Sequence, residues 1–147
     1  MLARQIMTTD PVCVTPDTLL IAAAGLMNDH NIGILPVVEH EGSRRLVGVI
    51  TDRDIAMRHV AEGHSGTACR VEEAMTDHVA ACAPDADVAD VMAVMGREQV
   101  RRVPIVDGDG GVLGIVSQAD IVRDTQDAHA AEWTVEQISM PHTISQR

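Results

Sequence analysis

This 147-residue chain predicts an α/β (α+β) fold in which one structural unit is used twice. Two observations carry that expectation. The first is repetition in register. Ile6-Met7-Thr8 returns as Ala74-Met75-Thr76, Thr15-Pro16-Asp17 as Ala83-Pro84-Asp85, and Leu35-Pro36-Val37-Val38 as Val103-Pro104-Ile105-Val106, each 68 residues later. Gly48-Val49-Ile50-Thr51-Asp52-Arg53-Asp54-Ile55 returns as Gly114-Ile115-Val116-Ser117-Gln118-Ala119-Asp120-Ile121, 66 residues later. The change of offset falls in a loop, since Glu39 to Val47 is longer than Asp107 to Leu113. A repeat with one loop-length change is duplication of a unit. The second observation is periodicity, which reads β-α-β-β-α in each copy.

The elements follow in order. Val12 to Val14 is β-branched and predicts a strand. Thr15-Pro16-Asp17 predicts a helix start, with Thr15 as cap and Pro16 in the first turn. Leu19, Leu20, Ala23, Leu26 and Met27 then share one helical face, and Asn31 and Gly33 end the helix. Ile34 to Val38 predicts a strand whose Pro36 puts it at an edge or gives it an irregular start. Leu46 to Ile50 predicts another strand, after which Thr51 caps a helix from Asp52 to Ala61. In the second copy Val79 to Cys82 predicts a strand, and Ala83-Pro84-Asp85 opens a helix with Val88, Val91, Met92 and Met95 on one face. Ile105-Val106 and Val112 to Val116 are strands about a turn at Asp107 to Gly111. Ser117 caps a helix from Gln118 to Thr125. The expected organisation is repeat 1 over 1–62, a linker over 63–69, repeat 2 over 70–125 and a partly helical tail over 126–147.

Composition excludes several functions. Trp133 is the only aromatic residue, so the core must be aliphatic and no aromatic platform exists for stacking bases. A net charge of −11 repels polyanions, and the small clusters Arg44-Arg45 and Arg101-Arg102 suit one phosphate better than a nucleic-acid backbone. The apolar stretch Leu19 to Met27 is too short to span a bilayer, and the first residues lack the apolar run of a signal peptide. A cytoplasmic protein that binds neither nucleic acid nor membrane is expected. Cys13, Cys69 and Cys82 read as reduced thiols. A redox bridge between Cys13 and Cys82, near equivalent places in the two copies, is the sharper alternative.

The strand-to-helix junctions carry the chemistry. Thr51 and Asp54 are three apart at a helix start, as are Ser117 and Asp120, so both side chains lie on one side of the first turn. A hydroxyl and free N–H groups there suit a phosphate, and the carboxylate can accept both hydroxyls of a ribose. The same pattern also describes an N-terminal cap with a helix-dipole acid.

These residues resemble the cystathionine-β-synthase, or CBS, domain, which occurs as tandem pairs. The Met-Thr opening, the apolar-Pro-Val strand and the Gly-x-x-Thr/Ser-x-x-Asp junction carry the resemblance over about Leu2 to Asp124. The chain looks like the stand-alone bacterial members, and its first repeat is similar to the mycobacterial hypoxic-response type. The resemblance implies two repeats related by a pseudo-twofold axis, and homodimers of pairs. It further implies regulatory binding of an adenosine-containing ligand such as AMP, ADP, ATP, NAD or S-adenosylmethionine in clefts between the repeats. It would join Thr51 and Asp54 to Thr76, Ala80, Val100 and Arg101 in one cleft, and Ser117 and Asp120 to Thr8, Val12, Ile32 and Gly33 in the other. Arg101 and Arg102 beside the first cleft would favour phosphate there.

The leading expectation is a non-catalytic nucleotide sensor that needs no cofactor and signals to a separate effector protein. The alternative is a stress-response structural dimer. Its clefts would be filled by side chains such as Met7, Met75 or Arg101, and it would act through its dimer surface or the Trp133 tail. Enzymatic activity is not expected, because no Ser-His-Asp order, glycine-rich phosphate loop or acid/base carboxylate pair is evident. Seven histidines show no metal-ligand spacing, so no metal site is expected and most are read as solvent-exposed. The eight methionines read as packing residues.

Overall fold

A computed structural model describes residues 1–124 together with Glu132 and Glu136. Apart from those two, the expected tail helix and Trp133 lie outside the described residues, as do His129 and His142. The order is α1 (Ala3–Ile6), β1 (Thr8–Thr9), α2 (Leu20–His30), β2 (Ile34–Val38), β3 (Leu46–Thr51), α3 (Asp52–Ile55), α4 (Val88–Glu98), β4 (Arg102–Val106), β5 (Val112–Ser117) and α5 (Gln118–Asp124). The mixture of helices with small sheets is the α+β architecture expected. Two compact units are present. One comprises Asp10–Val79 with Val106–Leu113; the other comprises Met1–Thr9, Ala80–Ile105 and the described residues from Gly114 onward.

In the first of these units, β2 and β3 pair antiparallel, Pro36 opposite Val49. Val14 adds one parallel bridge to Val37 rather than the expected strand. Proline is the reason. Val14 N donates to the Pro36 carbonyl at 3.0 Å and Val38 N to the Val14 carbonyl at 2.8 Å. The next rung in either direction would need an N–H from Pro16 or from Pro36, and neither has one. The other unit repeats the interruption. Cys82 N donates to the Pro104 carbonyl at 3.0 Å, and Pro84 and Pro104 block its neighbours, so the strand expected over Val79 to Cys82 is also a single bridge.

The first helix also departs from expectation. Thr15 to Thr18 form a turn, with Thr18 N on the Thr15 carbonyl, and α2 begins only at Leu20 without a side-chain cap. Its first N–H groups are satisfied by another segment. Leu20 N donates to Cys69 O at 2.9 Å and Ile21 N to Gly66 O at 3.0 Å. In α4 the equivalent Val88 N donates to Met1 O, while Asp87 caps through Ala89 N. Both helices end on a left-handed residue at matching places, Asn31 at φ 52° and Gln99 at φ 56°. The helix expected over Asp52 to Ala61 is α-helical only to Ile55 and continues as a π-helical turn from Ala56 to Val60.

Each unit has its own aliphatic core. Val14, Leu20, Ala23, Met27, Leu35, Val37, Ile50, Val71 and Ala74 form one. Ala3, Ile6, Cys82, Val88, Val91, Met92, Met95, Val103, Ile105, Val116 and Ile121 form the other. Each fully buried Leu, Ile, Val or Met contributes about 1.5–3 kcal/mol. The second core takes Ala3 and Ile6 from the chain start, and the first takes Val71 and Ala74, their counterparts 68 residues on. Backbone bonds fasten both segments in the same way. Ala3 N donates to Ala86 O at 2.9 Å, and Val71 N to Thr18 O at 2.8 Å.

The Met-Thr segments then reach the glycines of the strands. Thr8 pairs with Ile115 and Thr9 with Gly114, while Thr76 bridges Val49. A Cβ at Gly114 would stand 2.7 Å from the Thr8 carbonyl oxygen and 2.7 Å from Met7 Sδ. One at Gly48 would stand 2.8 Å from the Thr76 carbonyl oxygen and 3.1 Å from Met75 Sδ. Backbone cannot step aside as a flexible side chain can. Gly48→Ala and Gly114→Ala are each expected to cost about 1–3 kcal/mol, read as a lower denaturation midpoint with unchanged slope. Gly25→Ala, where a Cβ meets nothing within 4 Å, is the control and should not destabilise.

Candidate functional site

Glycine contacts place each Met-Thr segment beside the strand that leads into a junction. In the Asp10–Val79 unit that junction is a reciprocal cap. Asp54 N donates to Thr51 Oγ1 at 3.0 Å, and Thr51 N donates to Asp54 Oδ2 at 3.1 Å. Asp52 N donates to the Gly33 carbonyl at 3.1 Å. The second oxygen of Asp54 faces Arg58, whose Nε is 3.8 Å from Oδ1. Arg58 Nη1 also reaches Thr76 Oγ1 at 3.3 Å and the Met75 carbonyl at 3.4 Å. Thr51, Asp54 and Thr76 therefore meet, tied by an arginine that sequence spacing did not single out.

The other unit builds the same junction more tightly. Asp120 is 7% exposed. Its Oδ2 accepts from Ser117 N at 2.7 Å and from Ser117 Oγ at 2.6 Å. Asp120 N returns a bond to Ser117 Oγ at 3.2 Å, and Oδ1 accepts from Arg123 Nη2 at 3.1 Å. Gln118 N donates to the Arg101 carbonyl at 2.9 Å. Thr8 sits on the strand leading to Ser117, two places before it in register. The structure thus brings Ser117, Asp120, Thr8 and Arg101 together in one unit.

Backbone bonds bring further expected site residues to the junctions. Arg101, expected with Thr51 and Asp54, has its carbonyl in the Ser117 junction, and exposed Arg102 follows it as the first residue of β4. Gly33, expected with Ser117 and Asp120, has its carbonyl in the Thr51 junction, and Ile32 precedes it at 37% exposure. Val12 packs against the core of the Asp10–Val79 unit. Ala80 and the exposed Val100 belong to the other.

In both junctions one carboxylate oxygen is consumed by the cap and the other faces an arginine. The second oxygen retains lone pairs that a pair of ligand hydroxyls can use. The arginines could then turn to a ligand anion, which a guanidinium matches in geometry.

Among the described histidines His30, His40, His64 and His78 are exposed, as expected of most of them, and His59 is the exception. His59 is 2% exposed, lies in the π-helical turn and stacks on His64 with centroids 5.5 Å apart. Its spacing to His64 matched no ligand pattern, so nothing in the sequence marked it. Among the described residues no group of three or more His, Cys, Asp or Glu side chains is arranged to hold a metal ion, and no helix is long and apolar enough to cross a membrane.

A fold built twice from a Met-Thr segment, a Pro-containing strand pair and a capped carboxylate junction defines a tandem domain pair. The chain belongs to the CBS domain family, whose model matches residues 3–60 and 71–126. Among curated relatives, the CBS domain-containing protein YhcV of Bacillus subtilis is 36% identical over 92% of this chain and 94% of its own. Hypoxic response protein 1 of Mycobacterium tuberculosis is 34% identical over 97% of both chains. The crystal structure of Hypoxic Response Protein I, which carries two coordinated zinc ions, matches with a TM-score of 0.77 at 35% identity, covering 84% of this chain and 98% of that one. The CBS domain pair of protein MJ0100, solved with 5′-methylthioadenosine and S-adenosyl-L-methionine, matches with a TM-score of 0.75 at 33% identity, covering 84% of this chain and 94% of that one.

The cysteines are free. Burial pushes the Cys13 and Cys82 thiols above the ordinary range, and desolvation followed by the charge of Glu73 does the same to Cys69. A raised pKa leaves little thiolate at neutral pH. Alkylation of the folded protein by iodoacetamide at pH 7 should run slower than that of free cysteine and accelerate only once the pH passes the ordinary thiol range. Mass spectrometry of quenched samples reads this directly.

Proposed function

We propose that this chain is a non-catalytic sensor that binds an adenosine-containing ligand at its two carboxylate junctions, in the cytoplasm, and passes the bound state to a separate effector protein. The observation that carries the reading is the carboxylate. Asp54 and Asp120 each stand with one oxygen spent on the backbone and the other available to hydroxyls, beside a hydroxyl side chain and an arginine. A ribose diol with an adjoining phosphate matches that set of groups. AMP, ADP and ATP fit it best, and NAD and S-adenosylmethionine present the same ribose. The MJ0100 pair, with its two adenosine compounds, supports the ligand class. Signalling requires only that the ligand bind one state of the protein better than another.

The sensor acts as a homodimer of domain pairs. Exposed Met57 and Val60, at 56% and 63%, give the turn after α3 an apolar face suited to self-association.

A second reading is a stress-response structural dimer that uses no ligand. Two pairs of contacts favour it: Met7 and Met75 already lie against Gly114 and Gly48, and Arg58 and Arg123 already neutralise the two carboxylates.

Calorimetric titration with AMP, ADP, ATP, NAD and S-adenosylmethionine separates the two. Under the sensor reading, micromolar binding of at least one compound is expected. Asp54→Ala or Asp120→Ala should weaken it by roughly tenfold or more, about 1.4 kcal/mol. Silence with all five compounds would support the structural dimer.

A further inference from the structure

The two junctions share the hydrogen bonds of their backbone N–H groups and differ in charge. At the Thr51 junction the carbonyl that takes the first helical N–H belongs to Gly33, and the N–H belongs to Asp52. At the Ser117 junction the same two places hold Arg101 and Gln118. A glycine and an acid in one unit thus stand where a cation and a neutral amide stand in the other.

Asp52 takes up the room left by the missing side chain. Its Oδ2 lies 3.0 Å, and its Cγ 3.4 Å, from the Cβ position of Gly33. The first turn after Thr51 therefore carries two carboxylates, Asp52 and Asp54, with exposed Arg53 between them, while the turn after Ser117 carries Asp120 alone, with Ala119 in the place of Arg53. Arg58 is already shared among Asp54, Thr76 and the Met75 carbonyl, which leaves Arg53 as the exposed cation of that turn against Arg101 and Arg102 at the other junction. The Ser117 junction has exposed Arg101 and Arg102 at its edge and Arg123 on Asp120. A phosphate gains charge-assisted bonds from such arginines and is repelled by a carboxylate in the corresponding place.

We propose that the two junctions sort adenosine ligands by charge. Arg101 and Arg102 adapt the Ser117–Asp120 junction to a phosphorylated adenosine. Asp52 turns phosphate away from the Thr51–Asp54 junction, which takes a neutral or cationic adenosine derivative instead. Asp52 is then the specificity-determining residue, and the proposal rests on the adenosine-binding reading above.

The test is calorimetry of the full chain with AMP and with 5′-methylthioadenosine, a neutral probe. Wild type should take about one AMP per chain. The double variant Arg101→Gln/Arg102→Gln should weaken that AMP at least roughly tenfold while keeping 5′-methylthioadenosine. Asp52→Asn should raise the AMP stoichiometry to about two per chain. Asp52→Gln, which copies Gln118, is the second variant and should do the same. The proposal is overturned by two equal AMP sites in wild type, by an AMP stoichiometry that neither Asp52 variant changes, or by full AMP affinity in the arginine double variant. Any of these with binding intact defeats the charge sorting alone. No heat from either compound with wild type defeats the adenosine reading itself.

Discussion

A carbonyl oxygen packed against a glycine is the contact on which the rest of this molecule depends. Thr8 O and Thr76 O approach Gly114 and Gly48 so closely that any side chain there would overlap them. That approach lets the Met-Thr segments pair with the strands, Thr8 to Ile115 and Thr76 to Val49. Pairing in turn carries the segments that precede them into place, so that Ala3 and Ile6 complete one core and Val71 and Ala74 the other. The strand held by this contact ends three residues after its glycine, at Ser117 or Thr51, where the carboxylate junction begins.

The junctions show how a structural role and a binding role can share one set of atoms. A helix start leaves N–H groups without partners, and Thr51 with Asp54, or Ser117 with Asp120, satisfies them reciprocally. The cap needs only one oxygen of each carboxylate and holds the side chain in a single orientation, so the other oxygen is presented without further ordering. A ligand that uses it meets a group already fixed in place, which lowers the entropic cost of binding. Asp120 is the more buried of the two and the more fully bonded. Asp54 meets its arginine at a longer distance.

Duplication explains why the two units are alike in backbone and unlike in charge. Hydrogen bonds between main-chain atoms survive substitution, so Gly33 and Arg101 offer the same carbonyl, and Asp52 and Gln118 the same N–H. Side chains at those positions are free to diverge. Proline acts on the backbone as well, and its placement at 16, 36, 84 and 104 stops the same strands at the same rungs in both copies.

Much of the fold was legible in the sequence because it rests on local rules. The in-register repeat, strands β2, β3 and β5, the apolar face of α4 and the Thr/Ser-x-x-Asp caps all follow from spacing and residue type. The family could be read from the same motifs. The start of α2 could not, because its first N–H groups are satisfied by the carbonyls of Gly66 and Cys69, dozens of residues away. Nor could the single-bridge strands at Val14 and Cys82, since a proline blocks a rung only when its partner strand is known. The site divides along the same line. Sequence alone determined which hydroxyl and carboxylate form each junction, because they lie one helical turn apart. Only the tertiary structure decided that Arg58 and Arg123 face those carboxylates, that His59 is buried, and that Arg101 belongs to the Ser117 junction and Gly33 to the Thr51 junction. Those contacts depend on where the chain returns in space, and no local periodicity encodes that.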